Sequence, residues 1–141
     1  MSEITTIREA VKENDLKILH KLLSAEPFEE TYDEKTDTEL ITACRLGHHN
    51  AALLLINFGA NINYQNDKGW TALMLANDKG HAFCVQVLLD NNANMDLVCL
   101  KGSTALMHSA YRGYYDCVTL LVEKGNYPQT FSPIHNIYLK L

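Results

Sequence analysis

The chain has 141 residues, 47% hydrophobic and 21% charged, the make-up of one packed globular domain and not of a disordered polymer. Its net charge of −5 argues against nucleic acid as the main partner, because affinity for a phosphate backbone needs a basic face. The longest purely aliphatic run, Ala51 to Ile56, falls far short of the roughly 20 residues of a membrane span, so membrane insertion is not expected.

The N-terminus reaches Arg8 and Glu9 without an apolar signal core, and four cysteines without a Cys-x-x-Cys pair suit neither a disulfide framework nor a zinc site. A cytoplasmic setting, or a nuclear one, is expected. Thr6-Ile7-Arg8-Glu9 has capping-box spacing and starts the first helix. Ile18, Leu19, Leu22 and Leu23 stripe a second helix, and Lys12, Glu13, Lys17 and Lys21 keep the outer face polar. In the connection that follows, residues 26–39, seven acidic residues stand against Lys35 alone. More than the whole net charge is concentrated there. A solvated loop is the plainer reading, and a docking edge for a basic partner the sharper one. Thr36 stands where later units carry Gly, so an irregular turn is expected.

From Thr38 onward the chain repeats itself. Lys68-Gly69-Trp70-Thr71-Ala72-Leu73-Met74 returns as Lys101-Gly102-Ser103-Thr104-Ala105-Leu106-Met107, a step of 33. The same step carries Gly80 to Gly113, Cys84-Val85 to Cys117-Val118 and Leu88-Leu89 to Leu121-Val122. Backwards it reaches Thr38, Leu40, Ala43, Gly47-His48 and Leu55-Ile56, then Thr5, Ile7, Ala10 and Leu22-Leu23. In each unit Thr begins a short helix, and a Gly suits its left-handed stop. A second helix follows, with apolar residues at i, i+1, i+4 and i+5. Two such helices cannot bury their stripe alone, so the units must stack. Gly59, Gly69, Gly102 and Gly125, with Asn61, Asn63, Asn66 and Asn94, fit the connecting hairpins. The units read as 5–33, 34–66, 67–99 and 100–126, within a domain spanning 1–126. Ser132-Pro133-Ile134-His135 restarts a helix only 28 residues after Thr104. Residues 127–141 are then either a capping helix or tail, or a partial fifth repeat of a truncated array.

These units resemble ankyrin repeats, whose pattern Asp-x-x-Gly-x-Thr-Pro-Leu-His-x-Ala-Ala, Gly-His, Leu-Leu, Gly-Ala is matched best by residues 38–125. The resemblance implies an all-α solenoid of about four stacked helix-turn-helix units with short β-hairpin fingers. It also implies a non-catalytic protein-interaction module, a scaffold or adaptor with no cofactor. Alternatives are a fragment of a larger ankyrin scaffold or ubiquitin-ligase adaptor, and a small inhibitor that occludes an enzyme or a transcription factor. A monomer is expected unless the tail self-associates. In the family, ligands meet the hairpin tips and the inner face of the first helices. Carried over by position, the finger candidates are Asp67, Lys68, Trp70, Leu100, Lys101 and Ser103. The helix-end candidates are Arg45, Leu46, Asp78, Lys79, Tyr111 and Arg112. Trp70 and Leu100 are as readily packed on neighbouring hairpins. Asn63, eight residues after Leu55, resembles hairpin asparagines that are hydroxylated, although a plain hydrogen-bonding role accounts for it more simply. His48 and His81 occupy the family's Gly-His position and should tie adjacent loops together. Tyr114 in the same place should pack between repeats. Cys84 and Cys117 read as core residues, and Cys99 as the most exposed thiol. No phosphate-binding loop or nucleophile elbow is present, so catalysis is not expected.

Overall fold

The computed structural model describes residues 3–125. Among them are eight helices: α1 (Ile7–Glu13), α2 (Leu16–Ala25), α3 (Glu39–Leu46), α4 (His49–Asn57), α5 (Ala72–Lys79), α6 (Ala82–Asp90), α7 (Ala105–Arg112) and α8 (Tyr115–Lys124). Side chains of Thr6, Thr38, Thr71 and Thr104 cap the first helix of each pair by accepting from the backbone three residues on. Glu9 completes the capping box by accepting from Thr6 N at 3.1 Å. Gly47, Gly80 and Gly113 end α3, α5 and α7 in the left-handed conformation, as Asn14 ends α1.

The helices form two layers. α1, α3, α5 and α7 pack in sequence in one, α2, α4, α6 and α8 in the other, and each pair is closed by contact between its own members. Leu19, Leu40, Ile41, Leu55, Leu73, Met74, Leu88 and Leu121 are sealed inside this stack. His48 Nδ1 lies 2.8 Å from Val11 O and His81 Nε2 lies 3.0 Å from Arg45 O, so each imidazole bridges back to the preceding unit. The Tyr114 ring replaces the third imidazole and sits against Gly80, where a Cβ would come within 2.8 Å of it.

Three sequence expectations change. The fingers are tight turns and not β-hairpins, each closed by two backbone bonds: Asp33 N to Asp37 O (3.1 Å) with Thr36 N to Asp33 O (3.0 Å), Asn66 N to Trp70 O (3.0 Å) with Gly69 N to Asn66 O (2.9 Å), and Cys99 N to Ser103 O (3.0 Å) with Gly102 N to Cys99 O (2.8 Å). They are too short for a strand ladder, and no strand occurs among the described residues. Nor is the first turn irregular, because Thr36 itself takes φ 60°, the position held by Gly69 (φ 77°) and Gly102 (φ 79°) in the later fingers. Cys99 is buried (5% exposed) because the fingers approach closely: a Cβ on Gly69 would lie 2.9 Å from Leu100 N and 3.1 Å from Cys99 Cα. Cys44, Cys84 and Cys117 are buried too, and burial pushes the Cys117 thiol up to about 11. The capping helix or fifth repeat expected at 127–141 lies outside the described residues.

The acidic connection is only partly solvated. Arg8 of α1 reaches into it, donating to Thr31 O and Asp37 O, both at 3.0 Å, and to the Thr42 hydroxyl at 3.0 Å. Its guanidinium lies 3.6 Å from Glu39 and 3.9 Å from Asp33. Asp37 pairs with Arg45, and Glu30 accepts from Asn61 N at 2.6 Å. Asp37 and Glu39 are therefore buried inside the fold, leaving Glu26, Glu29 and Glu34 exposed.

Candidate partner-binding surface

Two local devices present the candidate side chains. The glycine stops of α3 and α5 leave the last helical residues projecting at one edge of the stack. The finger turns are shaped by Asx side chains: Asp33 Oδ1 accepts from Lys35 N (2.8 Å) and Asp37 N (2.9 Å). Thirty-three residues on, Asn66 Oδ1 accepts from Lys68 N (3.0 Å) and Trp70 N (2.9 Å). The third finger has Cys99 at this position and closes on backbone bonds alone. Burial raises the Asp33 carboxyl, but the backbone bonds from Asp37 and Lys35 and the Arg8 charge outweigh it, holding Asp33 below its ordinary value.

Fingers and helix ends enclose a cleft of about 250 Å³ in which six of the candidates meet: Arg45, Asp67, Lys68, Trp70, Asp78 and Lys79. Lys35, Asn66 and Leu75 complete its wall. Next to it, a shallower depression of about 500 Å³ shares Lys35 and Arg45 and adds Lys12, Thr42 and Leu46. The two form one groove across the first three units. Leu100 (80% exposed), Lys101 and Tyr111 (69% exposed) stand outside it, as do half-buried Ser103 and exposed Arg112. Lys35 was missed in the sequence, although the 33-residue step from Lys68 and Lys101 points directly to it.

Not every candidate is free to meet a partner. Asp78 is buried, and Arg112 Nε donates to its Oδ1 at 3.2 Å, so both serve a link between α5 and α7. Arg45 is held by Asp37. Trp70 is half-buried and packs against His108, with ring centroids 4.3 Å apart and ring planes inclined at 47°. Asn63 Oδ1 accepts from Asn94 N at 2.8 Å, tying one connection to the next.

His108 lies between Trp70 and Asp78, its Nδ1 3.6 Å from the carboxylate. Among the described residues its buried Nε2 has no hydrogen-bond partner. Burial lowers its pKa from the ordinary 6.5; Asp78 opposes that shift and Arg112 reinforces it. The folded state thus favours the neutral ring, and the unfolded chain binds the proton more readily. Stability is expected to rise with pH through the window between the lowered value and 6.5, then level off. Urea midpoints across that range should show this slope, and His108→Gln should reduce it; an unchanged slope in the variant would assign the effect elsewhere.

No group of three His, Cys, Asp or Glu side chains among the described residues is placed to hold a metal ion, and no described helix is long and apolar enough to cross a membrane. Compared with known proteins, the chain matches a family model described as ankyrin repeats, in three copies, over residues 7–99 and 59–132. No curated protein matches it.

Proposed function

The chain belongs to the ankyrin-repeat family, whose repeats are general protein-interaction modules, and from that premise we propose that it is a non-catalytic adaptor holding a segment of another protein in its finger-and-helix groove. The observation that supports this most directly is the meeting of six sequence-derived candidates, drawn from three separate elements, around one cleft. Asp67, Lys68 and Lys79 are exposed and take no part in the stacking core, so their side chains are available to a ligand. Trp70 offers a half-buried aromatic face and Lys79 an exposed cation beside it, a pairing of the kind that anchors interfaces.

The test is differential capture with the full chain as bait. Trp70→Ala combined with Lys79→Ala is expected to weaken retention of a specific partner by roughly thirtyfold, the effect of losing one interface hot spot. Far-UV circular dichroism should be unchanged. Equal retention by the variant and the parent would reject the cleft as the binding site.

A further inference from the structure

Resting on the interaction-module reading, we infer that the groove is built for an acidic, extended protein segment whose carboxylates recur about every third residue. The chain as a whole is acidic, with a net charge of −5, yet the groove is not. Lys12, Lys35, Lys68 and Lys79 all line it and are exposed. None has a described carboxylate within salt-bridge distance.

The groove's acidic side chains are mostly neutralised from within. Asp78 is taken by Arg112, and Asp33 by Arg8 and backbone amides. Asp37, beneath the groove, is taken by Arg45 and by Asn66 Nδ2 at 2.7 Å. Only Glu34 and Asp67 remain as exposed, unpaired carboxylates in the lining. The remaining lysines attract a partner of opposite charge and speed its encounter.

Spacing narrows the partner further. Lys35 and Lys68, in the groove, and Lys101, outside it, are separated by the 33-residue step and so sit at the same point of three consecutive fingers. The fingers are bonded side by side: Asp67 N donates to the Thr36 hydroxyl at 2.7 Å and Leu100 N to Lys68 O at 3.1 Å. Packed helices repeat at roughly 8–10 Å, and a chain extended in the polyproline II conformation advances about 3.1 Å per residue with three residues per turn, which returns every third side chain to the same face. One carboxylate in three therefore meets each successive lysine. A helical ligand brings same-face residues together every 5.4 Å or so, and its charges drift out of step with the row.

The experiment uses the full chain and a fluorescein-labelled peptide of about a dozen residues, with Glu at every third position and Ser or Gly between. Binding is followed by anisotropy at low ionic strength, where exposed ion pairs are least screened. Saturable binding is expected, with affinity falling roughly tenfold in Lys35→Glu/Lys68→Glu and about threefold in Lys35→Ala/Lys68→Ala, in line with the modest worth of exposed pairs. Lys17→Glu/Lys21→Glu, which reverses two exposed lysines of α2, should change it less than twofold. Equal losses in the two Glu variants would mean diffuse attraction and overturn the inference. Preference for a single-stranded oligonucleotide of equal charge would also overturn it, as would self-association abolished by the Lys35→Glu/Lys68→Glu change. If the acidic peptide does not bind while Trp70→Ala/Lys79→Ala still loses its captured partner, the acidic class fails and the groove stands.

Discussion

Arg8→Ala is expected to lower the free energy of unfolding by about 3 kcal/mol, the low end of the range for stripping the partner from a buried charge. Glu39 is 2% exposed and accepts from Thr31 N at 3.2 Å and from the Thr31 hydroxyl. Its compensating positive charge is Arg8, itself only 16% exposed. Truncation leaves that carboxylate uncompensated and removes a donor from the carbonyls of Thr31 and Asp37 together. Urea unfolding at pH 7 measures the loss. Glu39→Gln in the Arg8→Ala background should recover part of it, because a neutral amide is cheaper to bury than an unpaired carboxylate. A loss under about 1 kcal/mol, or no recovery, would show that charge is not what holds the acidic connection to α1.

A substitution with no electrostatic content should cost about as much. Gly47→Ala combines two penalties at the end of α3. At φ 80° a side chain is strained by about 1–2 kcal/mol. The new methyl would also come within 2.7 Å of the His81 ring, which cannot retreat without loosening its 3.0 Å contact with Arg45 O. Displacing that bond adds about 1 kcal/mol, for a total of about 2–3 kcal/mol. Gly102→Ala supplies the comparison: its φ is 79° and no described atom lies within 4 Å of the added carbon, so only the backbone penalty applies. Denaturation midpoints should rank Gly47→Ala well below Gly102→Ala; similar midpoints would mean that His81 moves aside freely.

The backbone was far more legible than the pairing of its side chains. Thr38, Thr71 and Thr104 announce helix starts, and Gly47, Gly80 and Gly113 helix stops, because caps act within a few residues and leave local signals. The bridging histidines were readable only through the ankyrin resemblance, because their bonds to Val11 and Arg45 span 37 and 36 residues. The pairing of Asp78 had no linear signal because its partner Arg112 lies 34 residues away, on a different helix, and periodicity does not say which charges meet across units. The acidic connection was misjudged for the same reason, since Asp37 and Glu39 look like solvated charges until Arg8 and Arg45 are folded over them. Cys99 looked exposed because turns usually are. Its burial comes from the absence of a side chain on Gly69, one finger away. Of the groove, position in the repeat supplied Arg45, Leu46, Asp67, Lys68, Trp70, Asp78 and Lys79; the cleft itself is a relation among three elements and had no linear signature.

The layered order of the helices also sets how the molecule would bear load. α1, α3, α5 and α7 touch in succession, and α2, α4, α6 and α8 do the same, so tension along the stack passes through the unit interfaces in series. A column of this kind has the strength of its weakest joint and peels in steps while the units beyond the break stay folded. It behaves as a short spring, and anything lying across several fingers at once would act as a splint along it.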